Sequence, residues 1–593
     1  MGEPHSNLTF QNIRRSMKQA VRHDHLVLAV LALIVGLFAG GAVIIFRETA
    51  NWIQWAYYNT ETDRFYWIAQ ELPWWMLLSV PTIGGLLVGV LVHWTLPDRR
   101  PQGISDVVEA YARKAGSMSS RTGLAAALAS AASIGCGASV GREGPAVHLG
   151  ASLAGWVTRK LHLSRSLSRT VLGCGVSAAV AASFNAPLAG ALFASEVIVG
   201  HYSLRSFAPI VISSVAGTVL TRQWFGDYPA FFVSETLFAS LWEFPAFVLL
   251  GVVSAVTALI LMNGVRLASN VAKKLPGPAW YRPAIAGFCV GAIALVFPQV
   301  LGVGYGATES AMLMHFGFWT LVGIGLAKIV ATSMCLGFGF AGGIFSPALV
   351  VGAMVGTSYG MIATQMFPDL SSGPDAYALV GMGAVAAAVL GAPISTTLIV
   401  FELTGDYALT LGVMVAVVLS SEITQLFFCR SFFAMQLNER GIDLKGEFEA
   451  EALKTQVVRQ VMEHQTKGVP LHTPLIDIRK TLQTSPAGEL FVITEDGMLY
   501  GTITLGDMHD LAFDSSHDDT ADASSVARKH PPMVASNDDL GAALKVMQET
   551  GEDHIAVVDG FDTMRFVGCV HHRDVMSAYN RALAQAHHDE HDL

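Results

Sequence analysis

The strongest constraint on this chain is a series of apolar blocks, from about residue 26 to about residue 437, many of which stop too early to cross a bilayer. An upright membrane helix needs about 20 apolar residues. Blocks of that order occupy residues 74–96, 244–262, 284–303, 319–336 and 409–428. Between them lie shorter stretches rich in Gly, Ala and Ser, at 124–139, 146–157, 171–182, 186–199 and 376–390. The breaks fall at Gly144-Pro145, Ala186-Pro187, Ser346-Pro347 and Ala392-Pro393. A helix interrupted at membrane depth leaves backbone N–H groups unpaired, which is tolerable only where protein or a wet cavity surrounds them. Such helices line ion sites in transporters. Close packing through small residues also accounts for many of the glycines, and both readings stand at this point.

Composition agrees with a lipid-embedded chain. Hydrophobic residues make up 52% and charged residues 14%, where a soluble domain carries roughly a quarter charged. The net charge is −10, with much of the acid after residue 440. The first 25 residues are basic, with Arg14, Arg15, Lys18 and Arg22 ahead of a 25–46 block that is about one span long. That length exceeds a signal-peptide core. The reading is a retained helix with a cytoplasmic N-terminus, in a multi-pass protein of a bacterial inner membrane. No basic stripe with interleaved aromatics points to nucleic acid. The six cysteines are scattered, without metal-ligand spacing, and read as core residues. No nucleophile–base pair argues for an enzyme.

The chain divides into a cytoplasmic segment 1–25, an all-α membrane domain 26–437 with broken helices, a polar linker 438–456 and a soluble α/β region. That region holds two similar units, 457–515 and 522–582, ahead of a solvated tail, 583–593. Each unit reads as a helix, a buried strand, a turn carrying Asp-Gly or an equivalent, a second strand and a closing helix. Twin units of this kind usually pair to cover a shared face.

Four membrane segments carry the chemistry: Gly141-Arg-Glu-Gly-Pro145, Phe184-Asn-Ala-Pro-Leu-Ala-Gly190, Gly342-Gly-Ile-Phe-Ser-Pro347, and Gly391-Ala-Pro-Ile followed by Phe401-Glu-Leu-Thr-Gly-Asp-Tyr407. Glu143 is an ionisable group at the start of a membrane helix, where such residues tend to be functional. The amides there favour an anion. Glu143 would therefore compete with a permeant anion and give way when protonated or displaced. A structural pairing with Arg142 is the alternative. The second Gly-rich segment would aim the N–H groups of Ile344 and Phe345 at the same cavity, binding an anion without a buried cation and so allowing release.

Together these segments resemble the CLC family of chloride channels and antiporters, over nearly the whole chain. The resemblance implies an inverted-repeat fold, a homodimer in the lipid bilayer with one pore per subunit, and chloride-class anions as the permeant ions, with no cofactor or metal required. It makes Glu143 the gating glutamate and Gly144, Ile344 and Phe345 donors to the anion, with Arg142 and Gly103 in the same anion-binding set. Three positions depart from the pattern. Gln102 in Pro101-Gln-Gly-Ile-Ser105 stands where the family has a pore serine, and its amide still donates. Phe433 stands where many members have a tyrosine facing the central anion. Val197, after Glu196, replaces the internal proton-accepting glutamate of antiporters. Valine carries no proton, so the chain reads as a passive, voltage- or pH-sensitive channel, with a proton-coupled antiporter as the alternative. A CBS-regulated divalent-cation transporter is a remote third reading, because the membrane blocks offer no multi-carboxylate cage. The soluble units resemble a CBS pair. Thr504 and Asp507 in the first and Asp574 in the second fit its ribose-holding positions for an adenine nucleotide, and a role in dimerisation and coupling to the pore is the other reading.

Overall fold

In the computed structural model the chain forms two compact units, Met1–Ile442 and Asp443–Leu593. The structure describes residues 24–60, 65–114, 116–200, 204–226, 240–442, 457–463, 468–485, 488–509 and 521–591. The basic N-terminal segment, most of the linker and the closing helix of the first α/β module lie outside these residues.

The first unit is helical. Apart from single turns, its helices are α1 Asp24–Tyr58, α2 Trp74–Thr95, α3 Ile104–Arg113, α4 Ser120–Gly135, α5 Glu143–Lys160 and α6 Arg165–Phe184. They continue as α7 Pro187–Phe193, α8 Leu204–Phe225, α9 Phe244–Lys274, α10 Arg282–Ala294, α11 Tyr305–Met312 and α12 Phe318–Phe338. The last are α13 Phe345–Met366, α14 Pro374–Leu390, α15 Pro393–Thr404, α16 Tyr407–Phe427 and α17 Phe432–Glu439. Among the described residues, seven helical segments are long and apolar enough to cross a membrane.

Two expectations about the blocks need correction. The 284–303 block is not one span, because its helix stops at Ala294 and only a single turn, Pro298–Val300, follows. The 146–157 and 171–182 blocks belong to helices of 18 and 20 residues, because polar residues at their ends remain helical. The prolines also mark helix starts rather than ends. Pro187, Pro374 and Pro393 open their helices, and Pro145 and Pro347 sit in the first turn, where a missing N–H costs nothing.

The unit is built twice. The run α4–α8 matches the run α12–α16 in order and in contacts. A Cβ on Gly150 in α5 would lie 2.4 Å from the carbonyl of Gly175 in α6, and one on Gly352 in α13 would lie 2.4 Å from that of Gly381 in α14. Asn185 after α6 and Gly391 after α14 both turn the chain through the left-handed region, at φ 60° and 67°. The copies meet reciprocally. Glu196, in a π-helical turn Ala194–Val199, accepts from the amides of Ile394 and Ser395 at 3.0 and 2.8 Å. Glu402 accepts from Leu188 and Ala189 at 2.9 and 2.8 Å. Each carboxylate thus caps the start of the other copy's short helix, the signature of a two-fold relation. With the antiparallel bridge between Gly141 and Gly343, this is an inverted repeat.

The second unit holds two modules. Strands β1 Val469–Pro470, β2 Glu489–Ile493, β3 Leu499–Thr504 and β4 Arg528–Lys529 form one sheet in that order, packed with helix α18 Leu475–Thr484. Strands β5 Met533–Ala535, β6 His554–Val558 and β7 Phe566–His571 form the other, packed with α19 Leu540–Thr550 and α20 His572–His591. In both modules the first strand is parallel to the second, and the second is antiparallel to the third. The modules exchange segments: Val458 and Met462, ahead of the first module, pack into the core of the second, while Ala523 packs into the core of the first. The α20 backbone stays helical as far as His591.

Candidate functional site

The Gly-rich segments ahead of α5 and α13 meet, although 202 residues separate Gly141 from Gly343. The two glycines exchange both backbone hydrogen bonds, Gly141 N to Gly343 O at 2.7 Å and Gly343 N to Gly141 O at 2.8 Å. Glycine is required for this approach. A Cβ on Gly144 would lie 3.1 Å from Gly343 Cα, and one on Gly343 would lie 3.0 Å from Gly144 N. The loop before α13 is also held from behind, where Ala341 N donates to Ser133 Oγ at 3.2 Å. The first amides of a helix have no acceptor in its own ladder. Here the starts of α5 and α13 lie side by side, and the positive ends of both dipoles converge.

Beside these helix starts is a cavity of about 420 Å³. Gln102, Gly103, Gly144, Ile344, Phe345 and Phe433 all line it. Six of the residues singled out from sequence therefore share one space. Gln102 and Phe433 are 8% and 6% exposed, so a polar and an apolar side chain border the cavity from buried positions. The lining also includes Arg99, Arg100, Lys273, Arg282 and Arg440 against the carboxylates Asp106 and Glu439. A cleft with that excess of cations concentrates anions. Asp106 is bound to Arg100 at 2.7 Å and to Arg440 at 2.9 Å, which fastens α3 to the end of α17.

Two expected donors are placed differently. The Gly103 amide is taken by Asp106 Oδ2 at 2.8 Å, so Gly103 lines the cavity without offering its N–H to an anion. The capping carboxylate that holds α3 in place has claimed it. Arg142 does not line this cavity. It lines a second, small one with Arg47, Asn51, Gln54, Gly302 and Val303, among others. Glu143 lines neither cavity, and its chain neighbours border one each, Arg142 the small one and Gly144 the larger. The carboxyl group is 1% exposed. Oε1 accepts from the Tyr305 hydroxyl at 2.7 Å, and Oε2 is buried without a hydrogen-bond partner. The guanidinium of Arg142 packs over the Tyr305 ring, 4.7 Å from its centroid.

The remaining motif residues serve the site indirectly. Phe184 meets the Phe345 ring edge-on at 4.9 Å and Phe193 stacks on it at 6.3 Å, so the 184–190 segment fixes Phe345 by packing. Val197 is half-buried in the π-helical turn after α7. Tyr305 and Lys328 were not identified from sequence. Tyr305 follows an apolar block and resembles any core aromatic. Lys328 had a signal, an ammonium inside the 319–336 block. It is fully buried, with Nζ donating to the carbonyls of Val300 and Gly302, both at 2.9 Å.

In the α/β unit, Asp507 Oδ2 accepts from the Thr504 amide and hydroxyl at 2.9 and 2.8 Å, closing the turn after β3. Asp574 lies in the first turn of α20.

Paired broken-helix starts, a cation-lined cavity and a buried acid in a membrane-spanning inverted repeat define an anion-transport protein. Comparison with known proteins gives the particular family. The voltage gated chloride channel family model matches residues 84–425 and the CBS domain model matches 458–513 and 523–581. A putative chloride channel protein ClcB-like of Ralstonia nicotianae is 33% identical over 390 residues, covering 65% of this chain and 91% of the relative. A voltage-gated ClC-type chloride channel ClcB of Citrobacter koseri is 30% identical over 400 residues, covering 67% and 95%. Among solved structures, a slow cyanobacterial Cl−/H+ antiporter superimposes with TM-score 0.62 at 22% identity, over 70% of this chain and 97% of that one. A eukaryotic CLC transporter gives 0.61 at 18%, over 93% and 98%. The chain belongs to the CLC voltage gated chloride channel family and carries a C-terminal CBS pair.

Proposed function

We propose that this chain is a passive chloride channel in which Glu143 is the gate. The observation that carries the reading is the position of that buried carboxylate at the converging helix starts, one residue along the chain from the lining of each of two cavities. A carboxylate there takes the place of the permeant anion. Its unpartnered Oε2 makes the seat a compromise, because a buried acceptor without a donor costs about 1–3 kcal/mol. A proton on the acid, or an anion arriving at the amides, tips the balance toward release. Val197 supports conduction without coupling, since the position that would relay a proton holds an aliphatic group.

The larger cavity faces the cytoplasm in this reading. Its lining includes Glu439 and Arg440, shortly before the chain passes to the CBS pair. Gln102 offers an amide donor there and Phe433 offers none, so anions pass a weakly holding central site. The working form is a homodimer in the bacterial inner membrane, with both termini cytoplasmic. The CBS pair takes an adenine nucleotide through Asp507 and Asp574. A proton-coupled antiporter is the second reading, favoured by the fold shared with a Cl−/H+ antiporter.

Anion efflux from liposomes containing the full chain tests the gate. Flux through the parent protein should vary with pH, and the Glu143→Gln protein should conduct with little pH response. A silent but folded variant, or one as pH-sensitive as the parent, refutes the role. A reversal potential that moves with a pH gradient would establish the antiporter.

A further inference from the structure

Among the described residues, Tyr305 is the one side chain that holds the Glu143 carboxylate by a hydrogen bond, at 2.7 Å and 5% exposed. It belongs to neither of the helices whose starts converge. It opens α11, behind Gly304, which takes the left-handed φ of 98°. Its approach is pinned at several points. Lys328 Nζ grips the carbonyls of Val300 and Gly302, and the Gly302 amide donates to Gly137 O at 3.0 Å. The Arg142 guanidinium lies over the ring face. The hydroxyl is thus delivered to a fixed point from α11, with Arg142 at the head of α5 over its ring and Ser346 of α13 beside its oxygen.

We propose that Tyr305 is a latch on the gate, a positioning residue that sets how much anion is needed to open it. The inference rests on the reading of Glu143 as the gate. An incoming anion takes the place of the carboxylate at the converging helix starts, where Oε2 has no hydrogen-bond partner, so that part of the contest is an exchange of charge for charge. The phenol hydroxyl holds the seated carboxylate and also lies beside the Ser346 hydroxyl. Unseating leaves the phenol a neutral hydroxyl in place of a carboxylate, so the difference between the two bonds opposes opening. The carboxylate bond is charge-assisted when the acid is ionised, and that difference shifts an equilibrium by about fivefold to tenfold. Lys328 and Arg142 are the charged groups beside this assembly, and neither is changed in the test.

Chloride efflux from liposomes is measured over a range of chloride concentrations for the full chain with Tyr305→Phe, Glu143→Gln and both changes. With Tyr305→Phe, half-activating chloride should fall about fivefold or more, with the saturating rate unchanged. In the Glu143→Gln background, adding Tyr305→Phe should change nothing further, because the latch no longer has a charged partner to hold. Replacement of Tyr305 by 3,5-difluorotyrosine, a stronger donor of nearly the same shape, should raise half-activating chloride. A threshold that Tyr305→Phe leaves in place, or a loss of flux of equal size in both backgrounds, overturns the latch. The second result would mean that the hydroxyl serves the anion or the fold. If Glu143→Gln itself keeps the parent's chloride dependence, the gate reading fails, whatever Tyr305 does.

Discussion

The contact between the two helix starts can be tested with one methyl group. Gly343→Ala places a Cβ 3.0 Å from Gly144 N and 3.3 Å from Gly144 Cα, where ordinary contact begins at 3.4 Å. The α5 start must therefore retreat by about 0.4 Å, the difference between 3.4 and 3.0. The neighbouring atoms are backbone at the head of a buried helix and cannot swing aside as a side-chain tip would. A like retreat stretches the Gly141–Gly343 bridge bonds, now 2.7 and 2.8 Å, toward the end of the usual range. Overpacking of this size costs about 1–3 kcal/mol, a factor of roughly 5 to 150 in an equilibrium. The methyl also stands over the Gly144 amide, one of the anion's donors in the proposed mechanism. Chloride efflux from liposomes should fall about tenfold or more, in the parent and equally in a Glu143→Gln background. Gly103→Ala is the control. Gly103 lines the same cavity, yet a Cβ there meets nothing within 4 Å, so efflux should stay within about threefold of the parent. Parent-level efflux from folded Gly343→Ala protein would refute the claim that close apposition of these loops makes the site.

Two further outcomes follow from the geometry. Glu402→Gln keeps one acceptor oxygen for two amides, those of Leu188 and Ala189, so one amide loses its partner and the membrane unit should lose about 1–3 kcal/mol in thermal unfolding in detergent; Glu196→Gln should match it, and the double change should be non-additive because both act on the α7–α15 contact. In the CBS pair, burial first and the charge of the facing His571 second hold His554 below the usual imidazole value, with Asp553, Asp574 and Glu463 pulling the other way. The unfolded state then binds more protons below about pH 6.5, so stability should fall as pH drops through the window beneath that value; labelling of the buried Cys569 thiol should speed up there relative to a His554→Gln variant at the same pH, and equal rates would remove His554 as the cause.

The reach of sequence is clearest residue by residue. Glu143 stood out because an acid between Gly and Pro in an apolar block has few structural uses. Val197 and Phe433 stood out because they lack a carboxyl and a hydroxyl where the family resemblance implies them. The short strands β1 and β5 were missed, since two or three residues carry no usable periodicity. The prolines were legible as breaks, but whether each ended one helix or opened the next depended on the chain around it.

By itself, the sequence determined the solvent and the chemistry: apolar blocks that must lie in lipid, glycines that let backbones approach, and one acid at the start of a broken helix. Tertiary structure decided the partners. It joined Gly141 to Gly343 and buried Glu143 where the two segments meet. It brought the Tyr305 hydroxyl to Glu143 from 162 residues away, and Arg440 to Asp106 from 334 away. The physical reason is that helix propensity, charge and hydropathy act along neighbouring residues, whereas a hydrogen bond between distant segments depends on how the two copies of the repeat pack. Nothing local to Tyr305 distinguishes it from a core aromatic until the fold places an acid at its hydroxyl.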